Sequence, residues 1–166
     1  MPLQQEFYLQ RMRQRLGWQG EQAQDSARIE QLLGLLATTE LDYSRFFRDL
    51  SERPAAAYLT DLQAQLEQEL GVDLESFNQW CDYYVQRTAT VDEQQRQAQM
   101  QAVNPLYVLR NYLAQLAIEA AEQGDYQPTQ RLHQLLTQPF VQQANADAYA
   151  APAPAWGRAL SISCSS

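Results

Sequence analysis

Few residues in this chain are equipped for chemistry, and they lie far apart. His133 is the only histidine. It sits between Leu132 and Leu135 with Gln130 three positions earlier, where a di-iron helix bundle would place the glutamate of a Glu-x-x-His pair. Zinc hydrolysis asks for more ligands, and a serine triad asks for a base with an acidic partner. His133 is therefore read as a surface or partly packed side chain. Carboxylate pairs occur at Glu67 with Glu69 and at Glu119 with Glu122, and the second has the spacing of a cation site or an acid/base couple. The second pair is three residues apart on one helical turn, opposite a row of leucines, which reads as a solvated face. Of the two cysteines, Cys81 falls in an apolar helical stripe and reads as a core thiol, and Cys164 stands three residues from the end, where chain ends fray. Each needs a different explanation.

The polar residues set among apolar ones are the next candidates. Asn104 precedes Pro105 as a helix cap would, and Arg110 and Asn111 interrupt the run "NPLYVLRNYLAQ". All three are assigned structural roles, as side chains that hydrogen-bond neighbouring helix ends or a loop.

Composition narrows the function classes. The 166 residues carry twelve positive and twenty negative side chains, a net charge of −8, and every positive residue is arginine. Without lysine there is no phosphate-loop lysine, no Schiff base and no kinase-type lysine for nucleotide phosphates. The six glycines are too scattered to cradle a phosphate. This points to no catalytic residue, no metal site and no cofactor site of the chain's own. The acidic balance argues against nucleic acid or an anionic membrane as partner. Arg11, Arg13 and Arg15 read as a solvated helix face. Apolar runs such as "LLGLLA" fall well short of the roughly 18 residues of a membrane span, and the first residues lack the apolar core of a secretion signal. The cytoplasm is the default compartment.

The elements that must position these residues are helical, because apolar residues recur at three and four. The pattern predicts an all-α fold, an irregular bundle of about seven or eight helices over 1–140 followed by an extended tail over 141–166. A first helix runs from Leu3 to Leu16 and stops near Gly17. A second, Ser26 to Ala37, turns Ile29, Leu32, Leu33 and Leu36 inward. Asp42 caps a short helix with Phe46, Phe47 and Leu50. Pro54 and Gly71 bracket the next, through Tyr58, Leu62 and Leu66. Asp73 starts a helix with the stripe Leu74, Phe77, Trp80, Cys81, Tyr84 and Val85. Thr90 with Glu93 forms a capping box. Asn104-Pro105 opens a long helix lined by Leu109, Tyr112, Leu113, Leu116, Ala117 and Ala120 that ends at Gly124. Pro128 and Pro139 bracket a last helix with Leu132, Leu135 and Leu136. "AYAAPAPAWGRAL" reads as irregular or extended, and Trp156, Leu160 and Ile162 are expected to lie across a surface.

Three stretches carry a resemblance: "DYSRFFRDL" from Asp42, "NPLYVLRNYLAQLAIEAAEQGDY" from Asn104, and "YAAPAPAWGRALSISCSS" at the end. Together they resemble the C-terminal part of the selenoprotein O family. The resemblance implies kinase-like enzymes that transfer AMP from ATP to Ser, Thr or Tyr hydroxyls of proteins, with magnesium. It implies that the glycine-rich loop, the phosphate-holding lysine and the catalytic acids lie upstream. The missing N-terminal kinase-like half would then be this chain's partner, and protein substrates would meet it only through the full enzyme. It also implies that Cys164 stands where the family has selenocysteine, or cysteine in bacteria, a redox thiol that pairs with a cysteine of the catalytic core.

Three readings follow. In the leading one the chain is structural support with redox control at Cys164. In the alternative it is an autonomous, non-catalytic helical interaction protein. In the third, a small thiol-redox protein, Cys81 and Cys164 act together; the lack of a Cys-x-x-Cys setting disfavours it.

Overall fold

A computed structural model of the protein describes residues 3–70, 74–158 and 160. Among them the fold is all-α, without a strand. The ten helices are α1 (Leu3–Leu16), α2 (Asp25–Thr38), α3 (Tyr43–Glu52), α4 (Ala55–Leu70), α5 (Glu75–Thr88), α6 (Glu93–Gln101), α7 (Asn111–Glu122), α8 (Gln127–Thr137), α9 (Asp147–Ala150) and α10 (Ala155–Arg158). They form two compact units that divide between Asn104 and Pro105.

In the first unit α3 packs on α4 and α6, α2 on α5, and α1 on α2 and α6. The expected stripes become its core: Leu16, Ile29, Leu32, Phe47, Leu50, Trp80, Tyr84 and Met100 are sealed from solvent. Asp42 caps α3 as read, its side chain accepting from the Arg45 amide at 3.0 Å. Pro54 lies one position outside α4, its carbonyl accepting from the Tyr58 amide. Gly71 and Asp73 lie outside the described residues. Val85 departs from its stripe and is exposed, and Leu33 is only partly buried. The capping box is also displaced. Asp92 caps α6 by accepting from the Gln95 amide at 2.8 Å, and Glu93 reaches Arg96 instead. A carboxylate one residue before the helix outcompetes the hydroxyl of Thr90 for the open amides.

The arginines hold this unit together. A helix leaves its last four carbonyls without intrahelical donors. Here α6 supplies donors to the end of α3: Arg96 donates to the Leu50 carbonyl at 3.0 Å and the Arg53 carbonyl at 3.1 Å, and Gln101 donates to that of Ser51 at 2.9 Å. Arg96 is fully buried, and it also donates to the Tyr84 hydroxyl at 3.0 Å and to both Glu93 oxygens. Tyr84 passes the chain on to the Leu16 carbonyl at 2.8 Å, the end of α1. Gly17 follows with φ +67°, and a Cβ there would meet Arg96 Cγ at 2.7 Å and Met100 Sδ at 2.8 Å, so the turn out of α1 is built for a residue without a side chain.

Arg13 and Arg15 do not form a solvated face. Arg13 donates to buried Asp25 at 2.7 Å and pairs with Glu21 at 2.9 Å. Arg15 lies over the Phe47 and Tyr43 rings at 4.3 and 4.7 Å. Stacking and fixed carboxylates outweigh hydration here because guanidinium is weakly hydrated and planar. Arg11 does stay near the surface, over Phe7.

In the second unit the long helix begins six residues later than read. Residues 105–110 are not helical, because the Leu106 and Tyr107 amides both donate to the Pro139 carbonyl, at 2.7 and 3.1 Å. The X-Pro step favours extended backbone at Asn104, which suits this departure. Tyr112, Leu113 and Ala117 are buried as expected, whereas Leu109 and Leu116 are exposed. Gly124, with φ +84°, ends α7, and the Asp125 amide donates back to Ala120. Pro128 sits in the first turn of α8, which packs on α7. The segment read as irregular or extended contains two helical turns, α9 and α10; Pro152 and Pro154 fall outside both, where a proline costs no helical hydrogen bond.

Replacing Arg96 by methionine keeps the volume but strips donors from the buried Leu50 carbonyl, the partly buried Arg53 carbonyl and a phenol. Urea unfolding of Arg96→Met is expected to show a loss of about 3 kcal/mol or more, against about 1 kcal/mol for Gln101→Ala.

Candidate functional site

Cys164 and Ile162 lie outside the described residues. What the fold does show is how the chain is held just ahead of them. Asn111, the first residue of α7, donates its side-chain amide to the Leu160 carbonyl at 2.9 Å. Leu160 packs onto the cluster of Tyr112, Leu113, Ala117 and Leu132. Trp156 sets its ring edge-on to Tyr112 at 5.7 Å while remaining half exposed. Gly157 lies so close to α7 that a Cβ would meet Tyr112 Cβ at 2.8 Å. Its amide donates to the Pro154 carbonyl at 2.8 Å, and Arg158 donates to Ala153 at 3.3 Å. The expectation that Trp156 and Leu160 lie across a surface holds, with α7 as that surface.

Asn104 belongs to the first unit. It is sealed from solvent, donates to the Arg15 carbonyl at 2.8 Å and accepts from Arg15 Nε at 2.9 Å, while its own carbonyl accepts from Arg48 at 3.1 Å. It thus fastens the end of α1 and the middle of α3 to the chain after α6, as a structural residue rather than a helix cap. Arg110 and Asn111 belong to the second unit; the Arg110 carbonyl receives the Leu113 and Ala114 amides at the start of α7. The Asn111 side chain bonds the Leu160 carbonyl.

The remaining candidates are not gathered. His133, Glu67, Glu69, Glu119 and Glu122 are all exposed. Glu69 accepts from Gln65 and Glu119 from Gln115, each at 2.9 Å, local pairs along a solvated face. Cys81 is buried, and burial, with the Asp82 charge adding to it, pushes its thiol up to about 12. Among the described residues no group of three or more His, Cys, Asp and Glu side chains is placed to hold a metal ion. No described helix is long and apolar enough to cross a membrane.

The residues that matter most to the fold, Arg48, Arg96 and the Asp25 cluster, went unread. Asp25 is fully buried, with one oxygen on Arg13 and the Gln22 amide and the other 3.7 Å from Arg87. The available signal was compositional: a chain that never uses lysine keeps the cation suited to planar, buried hydrogen bonding.

Residues 2–137 match the family described as protein adenylyltransferase SelO. The chain belongs to that family. Relatives named protein nucleotidyltransferase YdiU are 48% identical in Azotobacter vinelandii, 47% in Pseudomonas fluorescens strain SBW25 and 45% in Stutzerimonas stutzeri, each across all of this chain. The chain covers 34% of each relative, so it spans about a third of their length.

The nucleotide and divalent cation that the resemblance implies do not fit the described residues. The open groove beside α1, about 390 Å³, has Arg13 as its cation, and that guanidinium is already engaged by Glu21 and Asp25. The acid pairs are exposed, with Glu69 and Glu119 taken up by neighbouring glutamine amides.

Two outcomes are expected. Gly157→Ala forces Tyr112 or the α10 turn to move, so Trp156 fluorescence should shift toward that of a water-exposed indole, with a stability loss of about 1 to 3 kcal/mol. Iodoacetamide should leave Cys81 unlabelled until the chain is unfolded, as read by intact mass before and after denaturant.

Proposed function

We propose that this chain is the C-terminal helical part of a protein adenylyltransferase that moves AMP from ATP onto Ser, Thr or Tyr hydroxyls, with the kinase-like catalytic core outside it. The observation that carries the reading is the match itself: full-length similarity of this chain to about a third of each relative. The lysine-free sequence supports it, since the phosphate-holding cation of kinase-like chemistry has no candidate here. On this reading the chain acts in the cytoplasm. Its first unit braces the catalytic half, and its second presents the C-terminal thiol. Cys164 provides redox control by pairing with a cysteine of the core, and the Asn111, Tyr112 and Gly157 contacts fix the point from which the last residues depart.

A second reading, an autonomous helical interaction protein, is favoured by the closed core of the first unit, where Trp80 and Phe47 are already fully covered. One comparison separates the two. The chain alone is expected to bind no ATP with magnesium by calorimetry. Joined to the preceding portion of the Azotobacter vinelandii relative in place of that protein's own matching third, it is expected to restore AMP transfer. In that fusion Cys164→Ser should leave activity under reducing conditions unchanged and remove its response to oxidant. A fusion that folds but transfers no AMP, beside an active unmodified relative, favours the interaction protein.

A further inference from the structure

Helix α1 is anchored by one side only. Leu9, Met12 and Leu16 are buried in the first unit. Leu3 and Phe7 face away from these, at 88% and 57% exposure, whereas Tyr8 lies on the flank of the buried side, toward Tyr43 and Glu30. Leu3 and Phe7 are four residues apart and stack on one side of the helix. The Arg11 guanidinium lies over the Phe7 ring at 5.2 Å. Apolar stripes on two sides of a helix are the pattern of a helix covered on two sides.

What covers it follows from length. About two thirds of each relative lies outside the region matched here. The match to the family starts at residue 2, so α1 belongs to the shared part of the protein rather than to an appendage. We infer that the Leu3 and Phe7 face of α1 is covered by the portion of a full-length family chain that precedes this region. This rests on the reading above, that the chain is the C-terminal part of a longer enzyme, and adds to it the surface by which the catalytic half is held.

The test compares the chain alone with the fusion described above, each with and without Leu3→Ser combined with Phe7→Ser, and with Leu116→Ser on exposed α7 as control. Hydrogen exchange of the α1 amides is expected to slow at least about tenfold in the fusion relative to the chain alone. The double variant should erase that protection in the fusion, lower its urea midpoint, and leave the midpoint of the chain alone unchanged. Leu116→Ser should do neither. An active fusion in which α1 exchanges as fast as in the chain alone overturns the inference and leaves the C-terminal reading intact. A fusion that transfers no AMP beside an active relative overturns both. If the double variant destabilises the chain alone equally, the face is already covered within these 166 residues and the proposal falls. It falls too if the chain alone sediments as a dimer that the double variant dissociates, because the occupant is then a second copy.

Discussion

The first unit depends on a guanidinium placed where a helix runs out of its own donors. Arg96 lies sealed in the core and spends its hydrogens on the carbonyls of Leu50 and Arg53, on Tyr84 and on Glu93. Taking a full charge out of water is costly, and the cost is offset only when every donor finds a fixed acceptor. That requirement dictates the neighbourhood. The C-terminal end of α3 carries the negative end of its helix dipole and is the natural seat for a cation. α6 must cross it at one register, and Gly17 must lack a side chain so that α1 can end against the same group. Three helices are thereby held by one side chain, in a way that apolar packing alone would leave free to slide.

The same device recurs with different acceptors. Arg48 reaches the Asn104 carbonyl, Arg15 joins Asn104 while stacked on two rings, and Arg13 and Arg87 flank a buried Asp25. In the second unit, by contrast, backbone and side-chain amides replace the guanidinium as the main fastening: Leu106 and Tyr107 on Pro139, Asn111 on Leu160. The first unit shows specificity gained by buried charge. The second shows close contact of small and flat groups, with Gly157 under Tyr112.

Much of this was legible from residues. Gly17 and Gly124 marked helix ends because positive φ is cheap only for glycine, and Asp42 announced α3 by the cap it makes. The all-α class and the buried stripe with Cys81 follow from the same local patterns, while the family was legible only as a resemblance of three stretches. What stayed hidden is non-local. Asn104-Pro105 has the form of a helix start, but the amides that would begin the helix are taken by Pro139, more than thirty residues away. Thr90 and Asp92 were both plausible caps, and only the path of the chain into α6 decides between them. Burial of Arg96, Arg13 and Arg15 has no periodic signature, since a charged residue in a helical pattern looks the same whether it faces water or a partner helix. The candidate redox residue, Cys164, was legible through resemblance alone.

Arg96 holds its charge more firmly than a free guanidinium, because burial is outweighed by its hydrogen bonds to Glu93 and Tyr84. Two weak acids are inside: burial holds the Tyr84 phenol above its usual range and Cys81 near 12. Both have raised values in the folded state, so the stability they contribute is complete below the pKa of the free groups and drains away as pH climbs toward the folded ones. For Cys81 that decline runs from about 9 to about 12. The guanidinium that organises the core persists across this interval while the phenol it donates to and the neighbouring thiol are drawn toward ionisation. Alkali therefore attacks the core through its weak acids, with the Arg96 guanidinium still charged.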